Sequence, residues 1–436
     1  MEKKGVRLLN TKLTEQNVNG INLHVIETNK YKTNTIVLHI RTPLNKETVT
    51  KRALLPYILQ SGTETFPSRL EIRSYLDELY GATLGVDVSK KGENQILSFR
   101  MDVANEKYLK DKTPLLEETI KLLAEILLKP TKENNAFESS IVNNEKRNLS
   151  QRIQSIFDDK IRYANMRITE EMCKDEPYGL SVWGYEEEIT AVTPEQIYEE
   201  YQAMLVNDDI DLYIVGDVQT EEISKLVEKY FIFPGNRLTR DRKEVSVNSN
   251  QKVEKENEIF EEQDIKQGKL HIGFRTATTY NDEDYFAMQM FNGLFGGFSH
   301  SKLFINVREK ASLAYYASSR YESHKGILMV MSGIEFTNYS QAVTIIKEQL
   351  KSMQSGDFTE KEIEQTKAVI KNQILETVDV ARGYVELLHH NAIATKKRTI
   401  DDWLTGIDQV TKEDIVKVGQ KVQLDTIYFL KGKGEK

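Results

Sequence analysis

With 436 residues the chain exceeds what one hydrophobic core usually organises, and 39% hydrophobic with 29% charged residues is the balance of a globular protein in water. A formal net charge of −8 speaks against nucleic acid or an anionic membrane as partner. The one cysteine, Cys173, excludes an internal disulfide and a cysteine-rich metal site and reads as a reduced cytosolic thiol.

Residues Met1–Arg7 lead into no apolar stretch, so no signal peptide is expected. No apolar run approaches the roughly 18 residues of a membrane-crossing helix, and the expected location is the cytoplasm. Residues 20–27 and 35–42 are rich in β-branched side chains and read as strands. They carry His24 and His39, each read as a packed or surface side chain with no ligand-like neighbour. A helix is expected over Thr50–Gln60. Ser68 caps the next, with Ile72, Leu76 and Leu79 as its apolar stripe and Gly81 at its end. Strands follow near Leu84–Val88 and Gln95–Asp102. Thr113-Pro114 opens a helix with Leu116, Ile120, Leu123 and Leu127 on one face, ended by Pro130. Residues 137–175 read as one long polar helical stretch, followed by a loop from Glu176 to Gly184. Thr193 and Gln196 have capping-box spacing, and residues 211–217 form a short buried strand.

Between 236 and 258 the character changes: six Lys/Arg and five Asp/Glu accompany only four aliphatic residues, the composition of a solvated linker. Beyond it the outline of the first half recurs. Gly268–Thr276 reads as a strand, Asp282–Leu294 and Ser301–Lys310 as helices. Leu313–Ser319 and Ile327–Gly333 read as strands, and Ser340–Met353 and Thr359–Glu376 as helices. The ends match best: Thr193-Pro194-Glu195-Gln196-Ile197 against Thr411-Lys412-Glu413-Asp414-Ile415, and the strand Leu212–Gly216 against Thr426–Gly432. A repeat of half the chain predicts an α+β protein of two homologous α/β-sandwich halves, each a mixed sheet with helices packed on it, forming a clamshell. The expected domains are 1–235 and 259–436, joined by the 236–258 linker.

Thr50-Lys51-Arg52-Ala53-Leu54-Leu55-Pro56-Tyr57-Ile58-Leu59-Gln60-Ser61-Gly62-Thr63 resembles the first helix of the pitrilysin/insulinase metallopeptidase family. That helix carries HxxEH, an apolar pair and then Gly-Thr. Aligned on Gly62-Thr63, Ala53 and Tyr57 stand at the two histidines and Pro56 at the catalytic glutamate. In the motif, histidines four apart share one helical face and bind Zn²⁺, while the glutamate takes a proton from zinc-bound water. Alanine has no donor atom, proline has no carboxylate, and tyrosine, titrating near pH ~10, is a poor zinc ligand. Glu145 is the nearest match to the family's third ligand, but alone it cannot hold zinc and reads as a solvated helix-face glutamate. No metal is therefore expected on this chain, and His271, His300 and His324 are isolated, while the adjacent His389 and His390 diverge on a helix.

The resemblance also covers Pro177-Tyr178-Gly179 with Gly184, and is strongest in the block Leu303-Phe304-Ile305-Asn306-Val307-Arg308-Glu309-Lys310-Ala311-Ser312-Leu313-Ala314-Tyr315, preceded by a turn at Gly296-Gly297. In active members the matching arginine and tyrosine hydrogen-bond the scissile region opposite the zinc. The resemblance implies that Arg308 and Tyr315 bind substrate. A guanidinium and a phenol are suitable donors to a carbonyl and a developing oxyanion. The chain thus reads as a zinc-less member without catalytic residues of its own. As the non-catalytic subunit of a heterodimeric peptidase, it would bind peptide and lend Arg308 and Tyr315 to the zinc site of an HxxEH-bearing paralogue. A peptide-binding scaffold without any catalytic role is the alternative, and a peptidase with an altered metal site a third reading.

Overall fold

The strands form where β-branched and aromatic residues run together. The computed structural model, which describes residues 11–110, 113–235, 237, 253 and 255–434, gathers them chiefly into two sheets. The first half supplies β1 (Lys12–Val18), β2 (Ile21–Glu27), β3 (Thr33–Pro43), β4 (Thr83–Lys91), β5 (Asn94–Ala104), a two-residue ladder of β6 (Lys132–Glu133) and β7 (Ala136–Phe137), and β8 (Asp209–Gly216). The second supplies β9 (Asn257–Gln263), β10 (Gly268–Arg275), β11 (Ala314–Glu322), β12 (Ile327–Ile334) and β13 (Gln423–Gly432). The first sheet runs β1-β2-β8-β3-β5-β4 and the second β9-β13-β10-β12-β11. Apart from β1 the two orders are the same, and each has its one parallel pair at the equivalent place, β2 with β8 and β9 with β13. The expected α+β architecture of two like halves forming a clamshell is what the chain adopts.

Both faces of each sheet are covered, and the sequence alternation sorts the side chains between them. On β3, Ile36, Leu38 and Ile40 join the core beneath the helices Val49–Leu59, Leu115–Leu128 and Pro194–Asn207. Val37, on the opposite face, packs with Tyr213, Val215 and residues Val378–Leu388 of the second half. The arrangement is reciprocal. The first half's helix Lys160–Met172 lies on β10 and β13, with Ile168 buried against Tyr428 and Leu430. The second half's helix Ala381–Ile393 lies on β3 and β8. Each sheet is therefore completed by a helix from the other half.

Four expectations are corrected. The stretch 137–175 is two helices, Ser139–Asp158 and Lys160–Met172, because the Asp159 carboxylate accepts from the amides of Ile161 and Arg162, each at 3.1 Å, and caps a new helix. Most of the 236–258 linker lies outside the described residues, but Asn257 and Glu258 already belong to β9. The Ser301–Lys310 helix is wound as a π-helix over Phe304–Lys310, and the turn at Gly296-Gly297 closes a second π-helical segment, Gly293–Gly297. Finally, His24 and His39 do have polar neighbours: His24 sits between Glu15 and Asp211, and His39 Nδ1 lies 3.0 Å from His389 Nδ1.

Candidate functional site

The helix Val49–Leu59 is buried along almost its whole length, with Ala53 fully enclosed and Tyr57 nearly so. Pro56 lies inside it and withholds the amide that would otherwise bond one turn back. The Tyr57 ring is covered on one side by the Arg152 guanidinium, whose carbon stands 3.8 Å from the ring centroid, and is tilted against Trp183 at 6.4 Å. Among the described residues the buried Tyr57 hydroxyl makes no hydrogen bond of good geometry. Burial pushes the phenol up, the Arg152 charge opposes it, and burial wins. Tyr57 is therefore a neutral phenol at neutral pH.

Glu145 is not solvated, contrary to the sequence expectation. It is buried, because Arg69 at the start of the next helix donates to its Oε1 at 2.9 Å and Asn148 to its Oε2 at 3.2 Å. The same Arg69 nitrogen reaches the Tyr57 carbonyl at 3.3 Å, tying the two positions together. Arg69, Arg152 and Trp183 were not singled out by the sequence. The available signal was spacing: Arg152 is seven residues beyond Glu145 on one helix, two turns along the same face.

The second constellation lies in the other half and is built from irregular backbone. Leu303 and Val307 anchor the π-helical segment in the core, leaving Arg308 exposed with its guanidinium carbon 4.5 Å from the Phe304 ring centroid. Ser312 then adopts φ 52°, an uncommon left-handed conformation for a residue with a side chain. At Tyr315 the β11–β12 register slips, since Ala314 pairs with Ile334 and Tyr316 with Gly333. Tyr315 is the extra residue of a bulge, and its ring is 76% exposed. A Cβ at Gly296 would stand 2.7 Å from the Ser319 backbone nitrogen, so this segment approaches β11 only with glycine there. Among the described residues, no hydrogen bond, ion pair or ring contact joins Arg308 or Tyr315 to residues 49–60.

These two sites can be placed against known proteins. The chain is 53% identical, over 95% of its own length and 96% of the other, to a Bacillus subtilis protein described as "Probable inactive metalloprotease YmfF". It belongs to the M16 metallopeptidase family, the pitrilysin/insulinase family. Residues 191–370 of this M16 chain match the family model described as "Peptidase M16 inactive domain". The crystal structure of a conserved protein from Enterococcus faecalis superposes with TM-score 0.88 at 35% identity, covering 98% of this chain and 100% of that one. A peptidase M16 inactive domain from Pseudomonas fluorescens shares the fold, with TM-score 0.77 at 15% identity over 98% and 99%.

The zinc of active M16 members does not fit the residues present. Ala53 and Pro56 offer no donor, Tyr57 is a neutral phenol under Arg152, and Glu145 is engaged by Arg69. Among the described residues no three His, Cys, Asp or Glu side chains are grouped to hold a metal ion. Four of the histidines are paired with each other instead. His39 meets His389, and His324 Nε2 lies 2.7 Å from His390 Nδ1, so His324 is not isolated. This M16 chain is thus a homologue of proteins described as inactive metalloproteases, and it lacks the family's zinc-binding residues. Among the described residues no helix is long and apolar enough to cross a membrane.

Proposed function

We propose that this M16 chain is the non-catalytic subunit of a two-component peptidase. In this reading residues 1–235 form the half that has given up its metal, and residues 259–436 the half that grips substrate, with the charged stretch 236–258 between them. Arg308 and Tyr315 would reach a peptide held at the Zn²⁺ of an HxxEH-bearing paralogue in the cytoplasm. The observation that carries the reading is the concentration of irregular backbone around those two side chains: two π-helical segments, a left-handed Ser312 and a bulge that turns Tyr315 outward. Such conformations cost free energy and collect at functional sites. Both side chains point to solvent, as a contribution to another subunit requires. The open edges at β4 and β11 offer unpaired backbone groups to an extended peptide.

The test is peptide cleavage by an HxxEH paralogue alone and mixed with this chain. The mixture should cleave where neither component does, and Arg308→Ala should lower turnover by about a hundredfold, the usual loss when one oxyanion donor is removed. Unchanged turnover in that variant would reject the reading. A second reading, a peptide-binding scaffold that takes no part in cleavage, gains support from the replacement of the metal position by the Arg152–Tyr57–Trp183 cluster. Tight peptide binding without turnover in any mixture would favour it.

A further inference from the structure

Arg152 combines three properties that rarely coincide on a structural arginine. Its guanidinium carbon stands over Tyr57, 3.8 Å from the ring centroid, and 5.7 Å from that of Trp183, so the two rings hold it in place before any ligand arrives. Its side chain is solvent-exposed, and among the described residues no carboxylate stands within ion-pair distance of it. Beneath it the Tyr57 phenol is buried and neutral, and among the described residues its hydroxyl makes no hydrogen bond of good geometry.

The surroundings are fixed. Gln95 on β5 donates to the Val182 carbonyl at 2.9 Å, and the Tyr185 amide donates to Thr50 Oγ1 at 3.2 Å. Together they pin the loop that carries Trp183 to the Val49–Leu59 helix. The other charges near the site are accounted for. Arg69 is engaged by Glu145, and Asp87 on β4 is close enough to act on Tyr57 yet forms no ion pair with Arg152. What remains is one preorganised guanidinium edge, open to solvent, over Tyr57 and near Trp183. A planar fork of N–H donors matches a carboxylate better than any neutral acceptor.

We infer that the former metal position is a carboxylate-binding subsite, in which Arg152, stacked on Tyr57 beside Trp183, receives the carboxylate of a bound peptide. The carboxylate is either the peptide's C-terminus or an Asp or Glu side chain, which present the same chemistry. The inference rests on the reading that this chain binds peptide, and deepens it. It requires no partner and no metal.

The experiment uses the full chain and short, N-terminally fluorescein-labelled peptide pools of randomised sequence. One pool is a free acid without Asp or Glu, one its C-terminal amide, and one an amide containing Glu. Anisotropy titrations should show the free acid or the Glu-containing amide binding about tenfold more tightly than the uncharged amide. Which pool gains identifies the source of the carboxylate. Arg152→Ala should remove that preference and leave the uncharged amide's affinity within about twofold, while Arg152→Lys, which keeps the charge but not the planar stack, should retain only part of it. Arg152 is exposed but covers the Tyr57 ring, so both variants should stay folded with a Tm at most a few degrees below the parent's, and comparing them separates folding from binding. Of the two tryptophans, Trp403 can be replaced in a Trp403→Phe background, where Trp183 emission should change on adding the preferred pool and not in Arg152→Ala. Equal binding of all pools, unaffected by Arg152→Ala, would overturn the subsite and leave peptide binding standing. Failure of every pool to bind would overturn both.

Discussion

His24 and Glu145 show what burial does to a charged side chain that finds a partner. Burial alone pushes the His24 imidazole down, but Asp211 at 3.1 Å and Glu15 at 3.0 Å hydrogen-bond its protonated form, and His24 ends above its ordinary value. The contact with His24 also drives Glu15 down to about 2. A raised histidine contributes stability that is fully present below pH ~6.5 and lost as pH rises through the folded value. Thermal melts of the wild type between pH 6 and 9 should fall more steeply than those of His24→Gln, and parallel curves would show that His24 is not protonated in the fold. Glu145 gives a stability test. Arg69→Ala strands a buried carboxylate and should cost about 1–3 kcal/mol in urea unfolding, towards the lower end because the Arg69 side chain is half exposed. Glu145→Gln, which keeps the hydrogen-bonding shape without the charge, should cost less. The loss of the family's zinc donors was legible at Ala53, Pro56 and Tyr57, because the donor atoms of a residue type are fixed by its chemistry. The fate of Glu145 was not legible, since whether a helix-face carboxylate meets water or an arginine depends on which helix packs beside it.

At the scale of elements, the apolar strands and helices were readable and the polar ones were not. β2, β3, β5 and β10 are runs of buried Ile, Val, Leu and Phe, and their positions follow from composition. β1 (Lys-Leu-Thr-Glu-Gln-Asn-Val) and β9 (Asn-Glu-Ile-Phe-Glu-Glu-Gln) are edge strands whose outer face is wet, so their charged residues conceal them, and the expected 236–258 linker overlaps the first two residues of β9. The loop before residue 185 owes its shape to Gly184, which has φ 73° and would place a Cβ 2.5 Å from the Thr50 Cα. Gly184→Ala combines a left-handed penalty of about 1–2 kcal/mol with a clash against the Val49–Leu59 helix backbone. Chemical denaturation should report a loss above about 2 kcal/mol, and Trp183 emission should shift to the red as the loop lifts. The two exchanged helices make a matching pair of tests. Ile168→Ala removes a fully buried side chain from the second sheet and Val385→Ala one from the first, with expected losses of about 2–5 kcal/mol for isoleucine and less for the smaller valine. Because each helix belongs in sequence to one half and in packing to the other, both losses should appear in a single unfolding transition.

At the scale of the whole molecule, the exchanged helices bring a cluster of imidazoles to the junction of the halves. His39 on β3 meets His389 on the Ala381–Ile393 helix, and His324, at the β11–β12 turn, meets His390 one residue on. A neighbouring tie joins the hairpin tips, where the buried Lys325 pairs with Glu93 of the β4–β5 turn and with Glu176 at 2.5 Å. A hydrogen bond between two imidazoles needs one donor and one acceptor, so it survives as long as one ring stays neutral and breaks once both rings are protonated. Burial pushes His39 down to about 4 and His324 to about 3, and holds His389 and His390 well below the ordinary value. The charges of Lys91, Arg41, Arg100 and Arg398 act in the same direction around the cluster, while Glu386 and Asp211 oppose them at His39. The sign is opposite to that of His24. A histidine kept neutral contributes stability fully present above pH ~6.5 and lost as pH falls below it, at up to about 1.4 kcal/mol per pH unit for each group. Stability should therefore fall between about pH 6 and 4 on the limb set by this junction, and above pH 6 on the limb set by His24. His389→Asn, which retains a donor and an acceptor without a titrating ring, should flatten the acid limb and leave the alkaline one unchanged. Hydrogen exchange at pH 5 should show protection lost in residues 381–393 before it is lost in β3. If the acid limbs of variant and wild type coincide, the junction does not set acid stability, and the carboxylates of Glu15 and Glu176, both held below their ordinary value, become the groups that do.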